Sequence, residues 1–248
     1  MENFKKLEEK LLDFLDSYLK LTKNAGFSIG VSGGLDSAVV ATLCSKVAKT
    51  YALIMPTNSS NKANLDDALA LCDTLKVERT IINIQPILDE FLKATGDTTN
   101  LRRGNLSARI RMTLLYDHSA KLKTLVAGTS NKSERMLGYG TIYGDLACAL
   151  NPIGEIYKSD LFEFAKYLGI SQNIITKAPS ADLYEGQSDE LEIGFSYAQL
   201  DAVLKDIENQ KTKQEIEAKF DEKLLQTIFT RIELNKFKLS MPPIANIN

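Results

Sequence analysis

The segment 27–40, FSIGVSGGLDSAVV, constrains the fold more than any other stretch of the chain. An apolar run that reads as a buried strand stops at Ser32-Gly33-Gly34-Leu35-Asp36-Ser37, and an apolar, helix-compatible run follows at once. A strand, a glycine loop and a helix N-terminus in that order aim backbone amides, two hydroxyls and the positive end of a helix dipole at one spot. Such a spot binds phosphate. A plain tight turn would need neither serines on both sides of the glycines nor a carboxylate just before the second serine. No lysine follows the loop, which separates it from the Gly-Lys-Ser/Thr loop of kinase-like nucleotidases. Asp36 stands where that loop carries its lysine, and a carboxylate facing phosphates points to a bridging Mg²⁺.

The rest of the chain supplies a sheet for this loop. Apolar runs at 27–31, 51–55, 80–84 and 124–127 read as buried parallel strands. Helical segments at 37–49, 64–75, 87–94 and 106–121 alternate with them, and an amphipathic helix over 2–21 precedes the first. Alternation of this kind predicts an α/β fold, a doubly wound, mainly parallel sheet flanked by helices. Ligands then sit beyond the strand C-termini, where the 32–37 loop falls. Polar connections at 56–63, 95–105, 131–137 and 182–190 are expected around the site, the first of them readable as plain surface. Beyond residue 190 the chain reads as helical, with Ile193, Tyr197, Leu200 and Leu204 on one face and 205–222 as a solvated, Lys- and Glu-rich helix. One domain over 1–248 is expected: the helix 2–21, a nucleotide-binding core over 25–180 and a helical part over 190–240.

Composition excludes several classes. A formal net charge of −2 gives no global attraction to nucleic acid, although a local basic patch would suffice for one. Cys44, Cys72 and Cys148 are scattered and His118 is the only histidine, so a thiolate zinc site or disulfide framework is not expected. Cys44 and Cys148 sit among apolar residues and read as core, and His118 lies inside a helical run away from any motif. Unpaired thiols, an N-terminus interrupted by acidic residues and no long apolar run point to a cytoplasmic protein.

Further motifs follow the loop. VAGTSNKSE at 126–134 again runs from a strand into a polar turn: Thr129 can bond a nucleotide, and Glu134 is a second carboxylate, or simply part of a helix N-cap. RGNLSARIRM at 103–112 opens a helix on which Arg109 and Arg111 cannot share a face, so one is expected to point at the site. GYGTIYGD at 138–145 is a glycine- and tyrosine-rich turn. NPIGEIYK at 151–158 ends on Lys158, which can steady phosphate charge if it reaches the site. APSADL at 178–183 and GQSDE at 186–190 complete the polar set.

The hexapeptide 32–37 resembles the SGGxDS loop of the ATP pyrophosphatases, which cut ATP between its α and β phosphates. The seven motifs in this order, across roughly residues 18–201, resemble the ammonia-dependent NAD synthetases. That resemblance implies an adenine nucleotide alpha hydrolase-like fold, a homodimer with 2–21 and 106–121 as plausible contact helices, and conversion of deamido-NAD, ATP and ammonia into NAD, AMP and pyrophosphate. It implies that Gly30, Val31, Ser32, Gly33, Gly34, Leu35, Asp36 and Ser37 form the ATP phosphate loop, with Thr129, Lys158 and Ser180 as further ATP contacts. Asp36 and Glu134 resemble Mg²⁺ ligands. Arg109 resembles a deamido-NAD contact, and Tyr18 and Asp145 resemble residues near the nicotinate ring. Relatives with a lysine before the Tyr-Gly-Asp, an aspartate four residues after it and a terminal His-Lys pair differ from this chain, which has Ile142, Ala149 and, by this reading, Asn235-Lys236.

The implied chemistry needs no protein nucleophile. AMP is placed on a carboxylate oxygen, making it a leaving group, and ammonia displaces it; Asp36, Glu134 and Lys158 are the expected catalytic groups. No thiol has a glutaminase setting, so free ammonia is the expected nitrogen source. Segments 131–137 and 182–190 are expected to close over the reacting atoms. The rival readings are another pyrophosphatase, such as a GMP synthetase or a tRNA-thiolating enzyme, and a nucleotide sensor without chemistry. Reactive cysteines and a basic face would mark the thiolating type, and loss of a Mg²⁺ carboxylate would mark the sensor.

Overall fold

In the computed structural model, which describes residues 2–96, 98–180 and 188–247, a four-stranded parallel sheet carries the loop. Its strands are β1 (Phe27–Gly30), β2 (Thr50–Ile54), β3 (Glu78–Ile81) and β4 (Leu125–Val126), in the order β3-β2-β1-β4. The chain steps outward from β1 to β3, then returns to lay β4 on the other side of β1, through the register Phe27 to Leu125 and Ser28 to Val126. The order reverses between β1 and β4, which opens a crevice at their C-terminal ends. The expected strands at 27–31, 51–55 and 124–127 are found with ends shifted by a residue.

The third strand departs from expectation. β3 starts two residues before the expected run 80–84 and ends at Ile81, and all four of its residues are exposed. It is an edge strand, paired only with β2. The apolar residues that follow still run beside β2: Ile82 N donates to the Ile54 carbonyl at 2.9 Å and Ile84 N to the Pro56 carbonyl at 2.9 Å. The buried part of this segment is therefore its extension, where Ile84 enters a small core with Leu53, Leu88 and Ile110.

Helices cover both faces. α2 (Leu35–Val47) is buried from Leu35 through Cys44 apart from Asp36, because it packs between the sheet, α1 (Glu2–Thr22) and α7 (Lys158–Tyr167). Leu15 is the one fully buried residue of α1, and Phe4, Leu7, Leu11, Leu12, Tyr18 and Leu19 pack around it on the same core. α3 (Lys62–Leu75), α4 (Gln85–Thr95) and α5 (Asn100–Leu122) complete the layers. α5 starts within the expected loop 95–105: Thr99 caps it, accepting from the Arg102 amide. Segment 131–137, expected as a loop, is α6 (Lys132–Leu137).

After α8 (Gln172–Ile175), the described chain resumes at α9 (Asp189–Ile193), followed by α10 (Tyr197–Glu208), α11 (Lys213–Glu217) and α12 (Glu222–Asn235). The expected single helix over 205–222 is broken: α10 ends at Glu208 and Thr212 opens α11 with a capping box. Ile193, Tyr197, Leu200 and Leu204 do share a buried face, packed with Leu137, Leu225 and Ile228 in a second core. The expected closing segment 182–190 falls largely on 181–187, outside the described residues. No described helix is long and apolar enough to cross a membrane. Because Leu15 anchors α1, Leu15→Ala should lower the unfolding free energy by about 2–5 kcal/mol in denaturant titration; an unchanged midpoint would mean that α1 does not belong to this core.

Candidate active site

The loop after β1 is tightly constrained. Gly33 has φ +81°, a backbone that L side chains rarely adopt, and a Cβ there would lie 2.0 Å from the Asn64 carbonyl oxygen of α3. The first amides of α2 have no intrahelical carbonyl to donate to, so they face the crevice with the dipole behind them. Ser32 Oγ accepts from Gly34 N at 3.2 Å, and Ser37 Oγ donates to the Gly34 carbonyl at 3.0 Å. Lys177, absent from the sequence reading, lines the same cavity and ties the loop down. Its Nζ donates to the Gly33 carbonyl at 2.7 Å and to Asn64 Oδ1 at 2.7 Å, and pairs with Asp67 at 2.8 Å.

Asp36, Glu134 and Lys158 converge from three helices. Asp36 opens α2 after β1, and Glu134 lies in α6 after β4, so the two strands that flank the crevice each contribute a carboxylate. Lys158 begins α7 and is 4% exposed. Its Nζ donates to Asp36 Oδ2 and lies 3.8 Å from Glu134 Oε1. Asn131 sets the spacing: its Nδ2 donates to Asp36 Oδ1 at 2.8 Å while its Oδ1 accepts from Glu134 N at 3.0 Å and its own amide donates to Glu134 Oε2 at 3.3 Å. Glu134 is thus part of the helix N-cap and, in the same arrangement, a carboxylate that faces Lys158.

Two carboxylates face one ammonium. Burial, and after it the charge of Asp36, hold Glu134 well above the usual carboxylate range against the pull of Lys158. Burial alone would lower the Lys158 ammonium, but the charges of Asp36 and Glu134 outweigh it and the net shift is upward. The two hard carboxylate donors suit Mg²⁺, whose charge would favour their ionised forms and which takes one or two carboxylates and completes its shell with water and phosphate. Among the described residues no group of three or more His, Cys, Asp or Glu forms a self-sufficient metal cage.

These groups line one cavity of about 860 Å³, which also receives Gly30, Val31, Ser32, Gly34, Leu35, Ser37, Thr129, Asp145, Ser180 and Asn235. A second cleft of about 910 Å³ beside α4, lined by Asn58, Gln85, Asp89 and Lys93 among others, contains none of the motif residues. Pro56, Ser60 and Asn61 reach the main cavity, so the 56–63 connection is more than plain surface. Asp145 accepts from the Thr141 amide at 2.9 Å; it opens on the cavity, yet enough protein surrounds it that desolvation raises its pKa against that bond.

Four expected contacts do not line the cavity within one chain: Gly33, whose carbonyl is held by Lys177, and Arg109, Lys236 and Tyr18. Arg109 is exposed and donates to the Ile142 carbonyl at 3.3 Å; Arg111 lines the cavity instead, its Nε donating to the Met55 carbonyl at 3.0 Å. Lys236 pairs with Glu233 on the surface at 2.7 Å. Two residues on, Lys238 lines the cavity, donating to the carbonyls of Gly138 at 2.9 Å and Gly140 at 3.1 Å. Burial lowers its pKa, offset in part by Asp145. Tyr18 is half-buried on α1, stacked on Phe14 at 6.2 Å, and does not line the cavity. His118 Nδ1 is buried with no hydrogen-bond partner among the described residues, edge-on to Tyr51, and Cys44 is a buried thiol pushed upward by desolvation.

A phosphate loop at the C-terminal end of β1, facing a carboxylate delivered by the strand across the crevice, places the molecule among the adenine nucleotide alpha hydrolase-like α/β proteins. Comparison narrows the class. A family model described as NAD synthase matches residues 7–242. The chain is 52% identical to the NH3-dependent NAD⁺ synthetase of Campylobacter jejuni, over 99% of this chain and 100% of that one. The solved C. jejuni NH3-dependent NAD synthetase superposes with a TM-score of 0.86 at 46% identity, covering 98% of this chain and 99% of that one. An NMN synthetase from Francisella tularensis superposes with a TM-score of 0.90 at 35% identity, with the same coverage. The chain belongs to the NAD synthase family.

Gly33→Ala should weaken ATP binding by tenfold or more in titration calorimetry, because the new methyl must displace the Asn64 backbone. Gly169→Ala, with φ +76° but open space around it, should leave that affinity unchanged. Equal affinities for the two variants would mean that the 33–34 turn does not shape the nucleotide site.

Proposed function

We propose that this chain catalyses the amidation of the nicotinate carboxylate of deamido-NAD by ammonia at the expense of ATP, releasing AMP and pyrophosphate. The observation that carries the reading is the joining of Asp36, Glu134 and Lys158 at the mouth of the 32–37 loop, in a chain that matches ammonia-dependent NAD synthetases along its whole length.

A carboxylate resists ammonia because its oxygen is a poor leaving group. The carboxylate oxygen attacks the α-phosphorus, the bond to the β-phosphate oxygen breaks, and pyrophosphate departs. Ammonia then attacks the acyl carbon, AMP leaves with the bonding pair, and a proton is lost from nitrogen. The 32–37 amides hold the β and γ phosphates, and Lys158 neutralises charge that grows on the departing pyrophosphate. Thr129 and Ser180 contribute hydroxyls to the nucleotide. Asp36 and Glu134 would hold Mg²⁺, which supplies charge neutralisation across the phosphates when bound. Asp145, Asn235 and Lys238, with Arg109 nearby, bind the dinucleotide; Lys238 takes the role first expected of Lys236.

Tyr18 can meet the nicotinate only from a second copy, which agrees with a homodimer. Phe14 and Leu21 of α1 and Leu101 and Tyr116 of α5 are the exposed apolar residues available for that contact. The three thiols are free, in keeping with a cytoplasmic, reducing setting. A second reading has support in the superposition on an NMN synthetase: nicotinate mononucleotide as the acceptor.

Pyrophosphate release with ATP, Mg²⁺ and ammonium should depend on deamido-NAD and run faster with it than with nicotinate mononucleotide. Release with neither acceptor above background would remove the reading, and preference for the mononucleotide would replace it with the second. Asp36→Ala should lower turnover by about a hundredfold or more; a near-normal rate would remove Asp36 from the chemistry.

A further inference from the structure

We propose, on the reading of the site given above, that Asp201 is a positioning residue for the reaction, bolting the helix that carries Glu134 to the helix that carries Lys158. Asp201 lies on α10, far from the motifs in sequence, and is 1% exposed. Its Oδ1 accepts from Ser133 Oγ, and its Oδ2 accepts from the Ser159 amide at 2.8 Å. Ser133 Oγ accepts in turn from the Lys158 amide at 2.9 Å. Ser133 precedes Glu134 in α6; Lys158 and Ser159 are the first two residues of α7.

The arrangement answers a specific need. The first amides of a helix have no intrahelical acceptor. Tyr157, the N-cap of α7, makes no side-chain cap bond. The Lys158 and Ser159 amides are satisfied by groups from α6 and α10 instead, so α7 is capped in trans. A carboxylate is suited to this because the helix dipole there is positive, and its burial is offset by two charge-assisted bonds. The same bonds fix α7 against α6, and so fix the 3.8 Å separation of Lys158 Nζ and Glu134 Oε1. Neither Ser133 nor Asp201 lines the cavity, so both act through their neighbours.

Asp201→Asn keeps the size of the side chain but turns one acceptor into a donor that faces either the Ser159 amide or the Ser133 hydroxyl. Misplacement on the ångström scale costs up to about a hundredfold in rate, so turnover should fall by about tenfold or more. The Michaelis constant for ATP should change less than turnover does, since the phosphate loop is untouched. The matched control is Asp206→Asn. Asp206 is a buried carboxylate of the same helix, paired with Lys211 at 2.9 Å and Lys219 at 2.8 Å and touching neither α6 nor α7 through those bonds. It should lose comparable thermal stability and keep its turnover. Ser133→Ala removes the hydroxyl that links Asp201 to the Lys158 amide, and should reproduce the turnover loss if Asp201→Asn fails to fold.

Amide hydrogen exchange at Lys158 and Ser159 provides a readout independent of activity. Both amides should exchange faster in Asp201→Asn than in Asp206→Asn. Equal exchange at these amides, or equal turnover in the Asp201 and Asp206 variants, overturns the inference. If the wild-type chain released no pyrophosphate with any acceptor, the functional reading would fall while the exchange comparison would still decide whether Asp201 holds the two helices.

Discussion

The architecture turns on one buried ammonium. Lys158 is withdrawn from water and held by Asp36, with Glu134 3.8 Å away on the other side. An unpaired charge at this depth would be strongly unfavourable, and a pair at this depth is tolerable only when its geometry is held by further bonds. The surrounding structure supplies them. Asn131 grips Asp36 and Glu134 together, and α7 carries Lys158 in from a third direction. The strand order explains why these groups can meet: β1 and β4 flank the point where the order of the parallel strands reverses, and each releases its carboxylate into the same crevice.

The same geometry prepares the site for a polyanion. Lys158 balances part of the carboxylate charge and the loop serines bond within the loop itself. On the proposed reading, the α2 amides and the lysine are oriented before a triphosphate binds, so little reorganisation would remain for the reacting complex. This is the condition under which fixed dipoles stabilise developing charge most. Lys177 extends the scaffold by pinning the Gly33 carbonyl to α3.

How far the sequence disclosed this follows from the range of each interaction. The 27–40 segment was legible because strand, turn and helix are adjacent, and its glycines and serines have local roles. The carboxylates at 36 and 134 were legible as types in motifs, and the strand–helix alternation predicted the sheet. Contacts across long separations were not legible: Asn131 with Asp36 spans 95 residues, Lys177 with Gly33 spans 144, and Lys238 with Gly138 spans 100. Arg109 and Arg111 sit roughly 200° apart on a helix, so the pattern gave opposition without saying which faces the cavity; the packing of α5 turned Arg111 inward. The third strand was misplaced because the buried end of its apolar run, at 82–84, extends beyond the ladder, while the paired residues 78–81 lie on an exposed edge.

Lys158→Met tests the central claim most directly, through denaturant unfolding of the free protein. With the ammonium gone, two carboxylates are left facing each other with their main counter-charge removed. The account predicts a loss of about 3 kcal/mol or more in unfolding free energy, the cost of breaking a buried pair on one side. Stability unchanged within about 0.5 kcal/mol, the range of an ordinary surface substitution, would contradict it.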